Sequence, residues 1–157
     1  MKKKICITLS RVFPKTHSRA GELTLFGDKL KAGNKKHTIR CNYDLWAHNA
    51  QKMQNGGYTL SIRQWIDKPY RSKQREIHTT DTPIGVQRIQ INYHHDFHAN
   101  KPILTAKIIG GNIVDVEELA KNDGLSLADF AEWFFGKEPQ GDMTFTGVII
   151  HFSNLRY

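Results

Sequence analysis

The chain has 157 residues, of which 39% are hydrophobic and 24% charged, and its formal net charge is +8. This composition is typical of a folded globular protein, so we expect a single domain over residues 1–157 with its own hydrophobic core. No apolar run approaches the roughly 18 residues that a membrane-spanning helix needs, and the apolar stretch after Lys4 is too short for a secretory signal. We therefore expect a cytoplasmic protein without a membrane partner.

The first half of the chain combines strand patterns with two helical patterns. Alternating apolar and polar residues indicate strands, and helical spacing followed by glycine indicates a helix and its end. The predicted elements are a strand at 5–12, a helix from 18 or 20 to 30, a strand at 37–41, a helix that Asn42 caps and Gly56 ends, and a strand at 58–66.

The second half predicts three more strands, then two short helices and a final strand. The strands lie at 73–79, 86–93 and 103–109, the helices at 116–121 and after the capping residue Ser126, and the last strand at 143–152. Strands and helices do not alternate regularly, which argues against a doubly wound parallel sheet. We expect an α+β fold with a curled, mainly antiparallel sheet, two early helices and two late ones.

The basic residues are concentrated in two segments, 29–40 and 63–75, whereas 115–142 is acidic. A positive face of this kind favours RNA or another polyanion as the partner, because binding releases counterions. The alternatives are a solvated surface and a protein-interaction domain whose charge serves solubility.

Residues 33–40, Gly-Asn-Lys-Lys-His-Thr-Ile-Arg, bring together three side chains suited to one polar site. Thr38 and Arg40 share a face if the segment is extended, because strand side chains alternate. Lys35 precedes them in a turn, and its long side chain can reach the same place. A cation, a hydroxyl and a guanidinium suit an anionic or carbonyl-bearing ligand. A solvated basic turn is the alternative.

The pattern Gly-x-Lys-x-x-Thr-x-Arg, together with the tail segment 119–134, resembles the ASCH domain family of the PUA-like superfamily. This resemblance implies a small, curled, mixed β-barrel and a role in binding RNA or a nucleotide. One bacterial branch of the family consists of amidohydrolases that remove the acetyl group from acetylcytidine-type nucleosides, so the resemblance also implies this activity as an alternative. An RNA- or nucleotide-binding module is our leading interpretation, and the amidohydrolase is the alternative.

Carried over from that branch, the catalytic set falls on Lys35, Thr38 and Asp123. Lys35 would be the base, Thr38 would attack or position a water molecule, and Asp123 would orient Lys35. Asp123 stands where the family has Glu. Its side chain is one methylene shorter, so the carboxylate would lie about 1 Å from the position of the Glu carboxylate, and a displacement of this size can cost orders of magnitude in rate. Glu117 and Glu118 would reach the site only in a shifted register.

Aromatic residues among basic ones suit unpaired bases, which stack on rings while Arg and Lys contact phosphates. We expect Trp65 and Trp133 in the core and Tyr70, in a turn, as a stacking residue. The expected ligand-binding residues are Arg40, Trp46, Arg63, Tyr70, Arg71 and Lys73.

We assign neither a metal nor a cofactor to the chain. Cys6 and Cys41 are far apart without metal-ligand spacing, and Cys6 is expected to face the core. We predict that the histidine cluster at 94–98 is a solvated loop rather than a metal site, because neighbouring histidines on a strand would point to opposite faces and no distant Cys or His residues complete a ligand set. His37 and His151 are expected on strand surfaces.

Overall fold

The computed structural model describes residues 1–157 and has an α+β architecture of four helices and eight strands. The strands are β1 (Lys3–Thr8), β2 (His37–Arg40), β3 (Tyr58–Trp65), β4 (Gln74–Thr80), β5 (Gly85–Asp96), β6 (Lys101–Ile108), β7 (Ile113–Val114) and β8 (Met143–His151). The helices are α1 (Phe26–Lys31), α2 (Tyr43–Gln54), α3 (Val116–Asn122) and α4 (Leu127–Phe135). None of these helices has the length and apolar character needed to cross a membrane.

The strands form two separate sheets rather than a closed barrel. The small sheet has the order β1-β3-β4, and the large sheet has the order β2-β8-β5-β6-β7. All strand pairs are antiparallel except β1 with β3, which is parallel. The mainly antiparallel α+β prediction is confirmed.

One cluster of 26 buried hydrophobic residues fills the space that the sheets and helices enclose. Helix α2 contributes Trp46, Ala50 and Met53 to it, because residues three and four apart lie on one helix face. Trp46 is therefore a core residue, and its predicted role in ligand binding is wrong. On β1 the buried residues are Ile5 and Ile7, so Cys6 faces outward, contrary to expectation.

The first predicted helix is much shorter than the sequence pattern suggests. Only Phe26–Lys31 is helical, and the preceding residues form turns that contacts with α4 hold in place. Ser18 donates to the Glu132 carboxylate, and Arg19 pairs with Asp129. These tertiary contacts override the local helical spacing. Strand β5 likewise extends to Asp96, so His94 and His95 are strand residues rather than loop residues.

Candidate ligand-binding site

Lys35, Thr38, Arg40 and Asp123 meet around one small cavity, which Trp133 also lines. Two loops bring them together: the α1–β2 loop carries Lys35, and Asp123 ends α3. The backbone N–H of Lys36 donates to the carbonyl of Asn122 at 2.7 Å and joins the two loops. Strand β2 then places Thr38 and Arg40, held by its pairing with β8. The predicted convergence of these four residues is present.

Lys35 is buried and is paired with Asp123 in two ways. Its Nζ donates to the Asp123 carbonyl at 2.5 Å and lies 3.3 Å from Oδ1 of the same residue. The ammonium also sits 4.2 Å from the centre of the Phe26 ring, within cation–π distance. Burial lowers the pKa of Lys35, and the charge of Asp123 opposes this shift without cancelling it. Lys35 therefore gives up its proton more readily than a surface lysine does.

Two polar oxygens of this site have no hydrogen-bond partner within the chain. Thr38 Oγ1 and Asp123 Oδ2 make no hydrogen bond within the chain. Neither atom is completely buried, since the only fully buried polar side-chain atoms without a hydrogen-bond partner are Nδ1 of His37 and Nδ1 of His151. The cavity they line measures about 10 Å³, which is the room that one water molecule needs. Both oxygens are therefore open to a water-sized group, such as a single polar group of a ligand.

Arg40 connects the small cavity to a larger cleft. Its Nη2 donates to the carbonyl of Thr8 at 2.5 Å, and burial lowers its pKa while Asp123 opposes the shift. Arg40 and Ser10 line both the small cavity and the cleft, whose volume is about 280 Å³. The other lining residues of the cleft are Thr8, Arg11, Val12, Trp65, Asp67, Pro69 and Tyr70.

An aromatic pair forms one wall of the cleft. Tyr70 is 89% exposed, its backbone adopts a left-handed φ of 63°, and its ring centre lies 5.3 Å from that of Trp65. Trp65 is half-buried, so it does not take the core position that the sequence favours. An aromatic side chain exposed in this way is free to stack on a ligand ring.

The remaining predicted binding residues lie outside the cleft. Arg63 donates from Nε to Ser61 on the same strand at 2.9 Å and does not line the cleft. Arg71 and Lys73 are exposed in the β3–β4 turn that carries Tyr70. Their contribution to binding stays a prediction. An RNA strand that runs over this turn would contact Arg71 and Lys73, whereas a small ligand confined to the cleft would not. Glu117 and Glu118 are exposed in the first turn of α3.

A series of open hollows continues from the cleft around the molecule, and neighbouring hollows share basic residues. Arg11 belongs to the cleft and to a second hollow, Lys31 joins the second to a third, and Lys36 joins the third to a fourth. Apart from Lys35 and Arg40 of the site itself, six Lys and Arg residues line these hollows, and we call them the basic track: Arg11, Lys29, Lys31, Lys36, Arg75 and Lys121. None of them forms an ion pair with a carboxylate.

Sequence reasoning missed a buried polar group behind Asp123. His37 and His151 are 0% and 1% exposed, so their expected place on strand surfaces is wrong. Tyr157 reaches into the same region, where its hydroxyl contacts His37 and Asn122. His37 lies inside the motif, which could have directed attention to it; nothing near Tyr157 in sequence signals its position.

Comparisons of the chain with protein-family models, with curated proteins and with solved structures gave no match. The resemblance to the ASCH family therefore stays a prediction that rests on the motif and the tail segment. No group of three or more His, Cys, Asp or Glu side chains is placed to hold a metal ion.

Proposed function

We propose that the protein binds RNA or a nucleotide in the cleft between Arg40 and Tyr70. The observation that carries this proposal is the joining of an aromatic-walled cleft to a buried polar floor through Arg40 and Ser10. A base can stack on Tyr70 and Trp65, while Arg40 contacts a phosphate or a carbonyl oxygen. Asp123 Oδ2 accepts from an amino group, and Thr38 donates to an acceptor.

The basic track supports a strand of RNA over a free nucleoside as the ligand. A single nucleotide occupies the cleft alone, whereas a strand also places phosphates beside the unpaired cations of the neighbouring hollows. The ASCH resemblance, with its PUA-like fold, points to the same class of ligand. A protein-interaction domain is disfavoured because Lys35, Thr38 and Asp123 are buried together.

Fluorescence anisotropy with a labelled ten-nucleotide RNA of mixed sequence tests this proposal. We expect Tyr70→Ala to weaken binding about tenfold, since loss of one base–aromatic stack costs about 1–3 kcal/mol. Arg40→Ala is expected to weaken it as well. Phe97→Ala is the matched control, because Phe97 is an exposed aromatic residue (83%) in a turn outside the cleft.

Two results would reject RNA binding in the cleft. The first is equal affinity of Tyr70→Ala and Phe97→Ala. The second is binding by the wild-type protein that is no tighter, at the same salt concentration, than that of an unrelated basic protein.

The environment of Lys35 favours hydrolysis of an acylated cytosine nucleoside as a second candidate function. Burial lowers the pKa of Lys35, and Thr38 lines the same cavity. In this reaction the Thr38 hydroxyl adds to the amide carbonyl and passes its proton to Lys35. The C–N bond then breaks, the amine leaves with a proton, and water releases the acyl group from Thr38.

Incubation with acetylcytidine and chromatography for cytidine test this second candidate. Activity is expected to disappear in Lys35→Ala and in Thr38→Ala and to persist in Lys36→Ala, whose side chain is exposed beside the site. Turnover that survives both of the first two substitutions would refute the assignment of the catalytic residues.

A further inference from the structure

His37 lies between Asp123 and Tyr157 in the interior of the molecule. Its Nδ1 is 3.4 Å from Asp123 Oδ1, and its Nε2 is 2.7 Å from the Tyr157 hydroxyl. The ring is fully buried, and Nδ1 has no hydrogen bond within the chain. The carboxylate of Asp123 is therefore the charge that this nitrogen faces.

The hydrogen-bonding groups around Tyr157 determine which ring nitrogen of His37 carries a hydrogen. The Asn122 amide donates to the Tyr157 oxygen at 3.1 Å, which leaves the single phenol hydrogen for His37 Nε2. Burial raises the pKa of Tyr157 to about 12, so the phenol keeps this hydrogen at neutral pH. Nε2 is then the acceptor, and the hydrogen of the neutral ring lies on Nδ1.

The electrostatics on the other side of the ring require the same arrangement. A bare Nδ1 would bring its lone pair to within 3.4 Å of a carboxylate oxygen, which is repulsive in a buried environment. An Nδ1–H instead places a positive dipole beside Asp123 Oδ1, which Lys35 also approaches, although this contact is not aligned as a hydrogen bond. Oδ2 then remains for the ligand.

We propose that Tyr157 fixes His37 in its Nδ1–H tautomer and that His37 in turn orients the Asp123 carboxylate toward the ligand. His37 and Tyr157 are thus positioning residues for the site on the opposite side of Asp123. The functional part of this inference rests on the proposed binding of RNA or a nucleotide, whereas the tautomer does not.

Nitrogen-15 NMR of the histidine rings at pH 7 tests the tautomer directly in the full chain. We expect His37 to show a protonated Nδ1 and an unprotonated Nε2 in the wild-type protein, and a shift toward the other tautomer in Tyr157→Phe. Tyr58→Phe is the control, because the Tyr58 hydroxyl makes no hydrogen bond within the chain and should leave the spectrum unchanged. A wild-type ring with hydrogen on Nε2, alone or on both nitrogens, would overturn the proposal.

Binding of the ten-nucleotide RNA tests the consequence for the site. Tyr157→Phe is expected to weaken binding about fivefold, as the loss of one hydrogen bond does. His37→Asn keeps an N–H near the position of Nδ1 and should bind within about twofold of wild type, whereas His37→Leu should match or exceed the loss in Tyr157→Phe. Equal affinities for His37→Asn and His37→Leu, in proteins with the same thermal stability, would exclude the positioning role.

The two experiments separate this inference from the proposed function. A wild-type protein that shows the Nδ1–H tautomer but does not bind the RNA would refute RNA binding and leave the tautomer assignment standing. A protein that binds the RNA but shows the Nε2–H tautomer would refute only the role of Tyr157 and His37.

Discussion

At the scale of single residues, the site is a set of buried polar groups that compensate one another in part, since Nδ1 of His37 and Nδ1 of His151 have no hydrogen-bond partner. Lys35, His37, Thr38, Asp123 and His151 are all buried, although burial of unpaired polar groups is costly. Lys35 and Asp123 reduce this cost by pairing. His151 reduces it by staying neutral while its Nε2 bonds Gln87 at 2.9 Å. The pairing leaves Thr38 Oγ1 and Asp123 Oδ2 as the groups open to a ligand.

Because His151 is buried in its neutral form, the free energy of unfolding is expected to decrease at acidic pH. Burial, with the neighbouring His37 and Arg156, lowers the pKa of His151 from 6.5 to about 3. Between these values the unfolded chain binds a proton that the folded chain does not, so stability falls as the pH drops below 6.5. We expect His151→Gln, which keeps a donor for Gln87, to make the free energy of unfolding vary less steeply with pH. The number of protons taken up on unfolding should fall by up to about one.

Urea unfolding at a series of pH values between 7 and 4 measures this effect. His48→Gln is the control, because His48 is exposed on α2 and its loss should leave the pH dependence unchanged. Parallel stability curves for His151→Gln and the wild-type protein would show that His151 is not the responsible group.

At the scale of secondary-structure elements, the site depends on how β2 is held. This strand has only four residues and pairs with β8 alone in the large sheet. Gly147 on β8 allows the two strands to approach, since a Cβ there would overlap the carbonyl oxygen of Arg40 and the Phe145 ring. Arg40 therefore owes its position to a glycine more than a hundred residues away in sequence.

We expect Gly147→Ala to lower the free energy of unfolding by about 1–3 kcal/mol, because the clash is with backbone that cannot move freely. Gly85→Ala is the matched control on the adjacent strand β5. The atoms nearest to a Cβ there belong to the exposed guanidinium of Arg156, which can move at the cost of its hydrogen bonds to the Ser153 and Leu155 carbonyls, so the loss should be smaller than for Gly147→Ala. Chemical denaturation compares the two variants, and equal losses would contradict the proposed close approach at Arg40.

At the scale of the whole molecule, the distribution of charge matters more than its sum. The basic track draws on the segment 29–40, on Arg75 from the segment 63–75, and on Arg11 and Lys121 from elsewhere in the chain. These cations line adjoining hollows and lack carboxylate partners. They form a surface along which a flexible polyanion can lie.

A pair of charge reversals on the basic track tests this interpretation. We expect Arg11→Glu combined with Arg75→Glu to weaken RNA binding and to reduce the slope of log affinity against log salt by about 0.7 per lost phosphate contact. Lys101→Glu combined with Lys107→Glu gives the same net charge, but both residues lie on β6 outside the track. Equal salt slopes for the two double variants would show that only net charge matters.

Much of the architecture follows from local sequence signals. Glycines after helical spacing, the caps Asn42 and Ser126, and alternating strands gave α2, α3, α4 and most strands close to their observed positions. The short spacing within 33–40 also placed Lys35, Thr38 and Arg40 in one site, because a turn followed by a strand has few possible geometries. These features are local, so the sequence by itself determined them.

Tertiary structure alone decided which polar residues are buried and which basic residues lie together. Alternation along a strand says which residues share a face, but only the packing of β2 against β8 and of Tyr157 against both shows that His37 and His151 face the interior. For the same reason the helical pattern before Phe26 failed, since contacts with α4 stabilise turns there. Such contacts join residues far apart in sequence, and their energies depend on distances that no local pattern encodes.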